Sequence, residues 1–174
     1  MESRNTVLFG TIVAALGGFL FGFDTAVISG AVDALEVVFG LDQFWLGFTV
    51  AAALIGTIVG ALTAGWPADR FGRKNTLLAL AVFFFVSALG SALTSNWIAF
   101  LLYRFLGGLA VGGASVVAPM YIAEIAPAGL RGRLVAVHQL NVVVGILLAY
   151  ISNYLVAQLI VSDVAWRWML GVEA

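Results

Sequence analysis

Long apolar stretches alternate with short polar or charged breaks along the chain, and each stretch has the length of a membrane-crossing helix. Such a helix needs about 20 mostly apolar residues, because about 30 Å of hydrocarbon is covered at 1.5 Å per residue. Thr6 to Val32 is the first stretch and carries one charge, Asp24. The run between Asp42 and Asp69 is the second and carries none. Asn75 to Leu93 is the third, closed by the polar Thr94-Ser95-Asn96. Trp97 to about Ile122 holds Arg104, and Leu134 to about Ile160 is the fifth. "WRWMLGVEA" begins a sixth. Segments such as "LLALAVFFFVSALG" are apolar on every face, as bundled or lipid-facing helices are, and lack the strict alternation of barrel strands. The pattern predicts an all-α membrane protein with five complete transmembrane helices and the start of a sixth. The first stretch is too long for the apolar region of a secretory signal and reads as a first span.

Composition agrees. The chain is 63% hydrophobic and 10% charged, against about 25% charged in soluble domains. A water-soluble surface cannot be built from so little polar material. A net charge of −1 gives no bulk attraction to nucleic acid or acidic lipid. The absence of cysteine and the single histidine, His138, exclude disulfides, thiolate metal sites and a histidine cluster. No nucleophile–base set and no phosphate-cradling loop is present, and "GGLAVGG" lies inside a span rather than after a strand. The expectation is a non-enzyme without cofactor or metal.

Charge sets the orientation. Arg4, Arg70, Arg73, Lys74, Arg131 and Arg133 fall on one side, against Arg167 with Asp33, Glu36, Asp42 and Asp163 on the other. Basic residues stay inside, so the N-terminus is expected in the cytoplasm of a multi-pass cell-membrane protein. Trp45, Trp66, Trp97, Trp166 and Trp168 all fall at span ends, where an amphipathic ring favours the headgroup level. Gly18/Gly22, Gly56/Gly60 and Gly108/Gly112 have the spacing that lets helix backbones approach closely. In spans two and four this reads as ordinary bundle packing. Spans one and four each combine glycines with an intramembrane charge, as the first helices of two three-helix repeats would.

Those charges are Asp24 and Arg104. With span one running outward and span four inward, both lie about 9–12 Å below the outer boundary at 1.5 Å per residue. They meet if the two spans are neighbours. Two readings stand side by side: a static ion pair that fixes helix register, and a proton switch. Burial favours a protonated carboxyl and a nearby guanidinium a charged one, so separating such a pair would capture a proton. On the inner side, Asp69 and Arg73 are four apart, with Gly72 between them for a tight turn, and Glu124 precedes Arg131 by seven. Two acid–base sets at one face would make a latch. Gln139 and Asn141 are amides in an apolar run, available for a helix–helix hydrogen bond or for a hydroxylated ligand. His138 beside them is expected at the inner interface, without a role.

These motifs resemble the N-terminal half of a sugar porter of the major facilitator superfamily. The carriers are "FGFDTAVISGA" at Phe21–Ala31, "GWPADRFGRK" at Gly65–Lys74, "YRFLGGLAVGG" at Tyr103–Gly113, "PMYIAEIAPAGLRGRL" at Pro119–Leu134, "HQLNVVVGILLAY" at His138–Tyr150 and "WRWM" at Trp166–Met169. The resemblance implies twelve helices in two six-helix halves, with a monosaccharide bound between them. It implies that Asp24 is the proton-coupling carboxylate and Arg104 its partner. Gln139 matches a glutamine that hydrogen-bonds sugar hydroxyls, and Phe21 an aromatic near the pocket. Ile146 stands where some proton-coupled members have a second sugar-binding glutamine. Asp69, Arg73, Glu124 and Arg131, with Arg70 and Gly72 of the same loop, match a cytoplasmic charge network. The implied partners are the sugar, protons and the bilayer. The C-terminal half is expected to be missing, or supplied by another subunit. The alternatives are a half transporter with no activity of its own and a facilitator without proton coupling.

Overall fold

The computed structural model describes residues 4–159 and 165–172, with side chains from residue 16 onward. The chain runs through α1 (Arg4–Val27), a 3-10 turn (Ile28–Gly30), α2 (Val32–Phe39), α3 (Gln43–Thr63), α4 (Gly65–Phe71), α5 (Arg73–Leu93), α6 (Trp97–Ile125), α7 (Arg131–Leu159) and α8 (Ala165–Gly171). The expected end of the fifth span near Ile160, and Asp163, lie outside the described residues. Four of these helices are long and apolar enough to cross a membrane, and five spans result if the bent α1–α2 pair counts as one.

Polar side chains start two of the spans. The Asp42 carboxylate accepts from the Trp45 amide at 2.8 Å, and the Asn96 side chain from the Ala99 amide at 3.1 Å. Each satisfies an amide that has no partner inside its own helix. α6 is the central helix: α3, α5 and α1 pack on it, and α1 lies in turn against α7. Glycines set these distances. Gly56 and Gly60 of α3 abut the backbone carbonyls of Phe105 and Leu109, while Gly108 and Gly112 of α6 abut those of Ala53 and Thr57. A Cβ at any of the four would overlap backbone. The glycine pairs of spans two and four thus face each other, as packing devices. Gly22 against Val142 and Gly145 against Phe19 do the same between α1 and α7.

Three features depart from the expected pattern. The first span does not run unbroken to Val32. α1 ends at Val27, and the axis turns by 56° into α2. The Ala31 amide donates to Ile28 rather than to Val27, so the α-helical ladder stops at the Val27 carbonyl. The side-chain amide of Asn153 on α7 donates to it at 3.0 Å. Second, the loop after span two contains a helix of its own, α4, which stops at Gly72. There φ is 84° and ψ 150°, a region open essentially only to glycine. Third, Trp166 is packed inside the protein, with its ring covered by other helices. It joins Phe23, Val27, Leu35, Phe100 and Leu170 in the largest core cluster, at the end of the bundle where α8 docks.

Beside Trp166, the Arg167 guanidinium donates to the carbonyls of Ala92 and Thr94, each at 2.8 Å, and to the Ser95 hydroxyl at 3.1 Å. It also stacks 4.5 Å from the centre of the Trp166 ring. A cation is thereby placed on the orphan carbonyls at the end of α5, where the helix dipole favours it.

Candidate functional site

α1 and α6 are neighbours, and the depth match between Asp24 and Arg104 becomes a contact. Arg104 Nη1 donates to Asp24 Oδ1 at 2.7 Å. The two side chains are 3% and 6% exposed for Arg104 and Asp24 respectively. Burial on this scale makes the pair indispensable to itself, since neither charge has water to fall back on. Val27 and Ile28, one turn beyond Asp24, and Phe100, one turn before Arg104, belong to the Trp166 cluster. That cluster therefore closes the pair off toward the Trp166 end.

The remaining residues expected around this pair lie on different faces of α1 and α7. Phe21, one turn before Asp24, packs against the cluster of Leu80, Phe84, Ala110 and Val111. Ile146 lies beside Gly22 and packs toward the Trp166 cluster. Gln139 is exposed. It sits on the same helical stripe as Val142 and Ile146, at spacings of three and seven. Val142 and Ile146 lie against Gly22, whereas Phe21 packs toward α5 and α6, so the structure does not bring Phe21 together with Gln139 and Ile146. His138 differs from expectation. It is 5% exposed, with its ring and carbonyl against Gly18, and so it is part of the α1–α7 packing rather than of the interface.

Asn153 was not singled out in the sequence, although the signal was the same one that marked Gln139 and Asn141: an amide inside an apolar run. It is 7% exposed and fills the space above Gly30. Through Val27 it ties α7 to α1 one turn beyond Asp24. The helix bearing Gln139 and Ile146 is thus fastened to the helix bearing Asp24 on both sides of the carboxylate.

At the other end, the charge cluster is centred on one residue. Arg73 bonds Asp69 Oδ1 through Nη1 and Glu124 Oε1 through Nε, both at 2.9 Å. It also donates to the Ala68 carbonyl at 3.0 Å. α4, α5 and α6 are joined in this way. Arg131 does not pair with Glu124. Its Nε donates to the Ala126 carbonyl at 3.2 Å, because the turn before α7 brings it back to the C-terminal end of α6, where carbonyls lack helical partners. Arg70 also stands apart from the cluster, 5.5 Å from the centre of the Trp66 ring and 5.8 Å from that of Phe71. Among the described residues no group of histidine, cysteine and carboxylate side chains is arranged to hold a metal ion.

A glycine-packed helical bundle with a buried acid–base pair between its first and fourth spans defines the class, and structural comparison agrees. The bundle superposes on the proton:xylose symporter XylE of the major facilitator superfamily, solved with bound 6-bromo-6-deoxy-D-glucose, with a TM-score of 0.90 and 41% identity. The match covers 96% of this chain and 42% of that one. An inward-open form of XylE from E. coli gives 0.88 at 42% identity, over 96% and 44% of the two chains. The fold is that of a major facilitator N-terminal bundle. The family model "Sugar (and other) transporter" matches residues 10–174, and the chain belongs to that family of multi-pass membrane proteins. It is 48% identical to a glucose transport protein of Synechocystis, over 96% of this chain and 38% of that protein. It is 42% identical to the D-xylose-proton symporter of Escherichia coli K12, over 94% and 39%. The chain thus spans about two-fifths of the length of the curated relatives it matches.

Proposed function

We propose that this chain forms the proton-coupling half of a monosaccharide/proton symporter, with Asp24 as the carboxylate that takes up and releases the proton. The buried Asp24–Arg104 bond carries the reading. While the bond holds, the carboxylate is charged and the bilayer sees a neutral pair. When a conformational step withdraws Arg104, a buried lone carboxylate is stabilised only by protonation. Phe21, Gln139 and Ile146 would face the sugar, with Gln139 donating to and accepting from its hydroxyls. The Arg73 cluster, with Asp69 and Glu124, would close one conformation and open in the other. Its neighbours Arg70, Gly72 and Arg131 shape that region rather than pair within it. The Arg73 end, rich in lysine and arginine, is the cytoplasmic one, and the N-terminus lies there. Alternating access requires two bundles around one site, so this chain acts with a second six-helix bundle and does not transport alone.

The test is sugar uptake in proteoliposomes. The chain, co-reconstituted with the C-terminal half of the E. coli D-xylose-proton symporter, is expected to accumulate xylose or glucose against a gradient when protons are driven inward. Asp24→Asn should end accumulation and leave sugar exchange intact. Accumulation that survives the substitution would sink the coupling role. Exchange without any accumulation in the unsubstituted protein would make it a facilitator. Uptake by the chain alone would contradict the need for a partner bundle.

A further inference from the structure

α3 and α5 both pack on α6 but barely touch each other. Between them, at the Arg73 end, runs a groove of about 450 Å³. Its walls include Gly60 and Thr63 of α3, Phe71 of α4, and Asn75 and Phe83 of α5, with Leu109 of α6 beneath. From Asn75 to Phe83 it descends about 12 Å at the helical rise of 1.5 Å per residue. That is close to the roughly 15 Å of hydrocarbon in one leaflet, half of about 30 Å. The outer faces beside it are apolar, with Leu62, Leu78 and Val82 all well exposed.

The mouth has a different character. Trp66 and Phe71 are exposed, at 66% and 56%, and Arg70 stacks on both rings. Lys74 is exposed next to Asn75 at the head of α5. Neither Arg70 nor Lys74 forms an ion pair among the described residues, whereas the neighbouring Arg73 is taken by two carboxylates. Two available cations therefore adjoin the lining residues Phe71 and Asn75 in the chain, and Arg70 is held by aromatic rings of the kind that favour the headgroup level.

We infer that this groove is a binding site for an anionic phospholipid, with the headgroup phosphate on Arg70 and Lys74 and one acyl chain between α3 and α5. The charge arrangement selects this occupant. A zwitterionic lipid would bring its own cation to the arginine and lysine, and an uncharged helix would leave both without a counter-ion. A free anion would use the mouth and leave the slot empty.

The whole chain can be released from nanodiscs of equal phosphatidylglycerol and phosphatidylcholine and its retained lipid counted by native mass spectrometry. One retained phosphatidylglycerol is expected, enriched over phosphatidylcholine by about 5-fold per cation from the attraction of a basic side chain to an anionic surface. Arg70→Gln and Lys74→Gln should each lower the enrichment by about that factor. Both side chains are exposed, so neither change disturbs the core. Ala79→Trp, which fills the slot, should reduce retention of both lipids. Enrichment near unity, or enrichment unchanged in the Arg70→Gln/Lys74→Gln double variant, overturns the inference and leaves the groove to a helix of another polypeptide. Displacement of the lipid by excess inorganic phosphate overturns it in favour of a free-anion site. None of these readouts depends on sugar transport.

Discussion

Arg104 and Arg73 each hold a carboxylate at nearly the same distance, 2.7 Å and 2.9 Å, in opposite surroundings. Arg104 and Asp24 are almost wholly buried, whereas Asp69 is 71% and Glu124 50% exposed in their side chains. Water can replace either partner of Arg73 as soon as it leaves. Asp24 has no such access to water, so removing Arg104 would leave its carboxylate buried without that counter-charge. The same bond chemistry therefore makes an exchangeable fastening at one end of the bundle and, in its interior, a pair whose two members depend on each other. Position in the bundle, and not the kind of residue, separates the two roles.

Substitutions can break that contrast or sharpen it. The largest expected effect comes from Arg104→Ala, which leaves Asp24 buried and unpaired and should cost about 3–5 kcal/mol, the usual penalty for removing half of a buried pair. Thermal unfolding in detergent measures it. Replacing both residues with leucine should recover most of the loss, and a double variant as unstable as the single one would show that the pair is valued for more than mutual neutralisation. Asn153→Leu stands between the extremes, since it strips one neutral bond from the buried Val27 carbonyl. It should cost about 1–3 kcal/mol, with no dependence on salt. Arg73→Gln should cost the least, about 0.2–1 kcal/mol on the scale of exposed ion pairs. That small difference should vanish at about 1 M salt, where screening acts within about 3 Å. A salt-insensitive loss at Arg73 of the size seen at Arg104 would erase the distinction.

The architecture was largely legible because lipid leaves few choices. Long apolar runs must be helices, and charges within them must meet partners, so counting rise per residue was enough to bring Asp24 and Arg104 to one depth. The glycine spacing likewise announced close packing. What escaped was non-local. The stretch from Thr6 to Val32 has no proline and unbroken hydropathy apart from Asp24, so nothing in it marks Val27 as the end of α1. The Val27 carbonyl at that break accepts from Asn153, 126 residues away. His138 is buried because Gly18 makes room for it on another helix. Arg131 turns from Glu124 to a carbonyl because of how the chain reverses before α7. Pairwise reading of charges counts spacing but not the backbone acceptors that compete for a guanidinium.

Arg167 carries a consequence for how the bundle is held closed. It is the one lysine or arginine that the charge pattern places in the segments flanking the spans at the Trp166 end. Its ligands are carbonyls at the end of α5, one of them 75 residues earlier in the chain. The guanidinium reaches them only while the end of α5 and the head of α8 sit side by side at one end of the bundle. A single side chain thereby acts as the clasp between the third span and the start of the expected sixth.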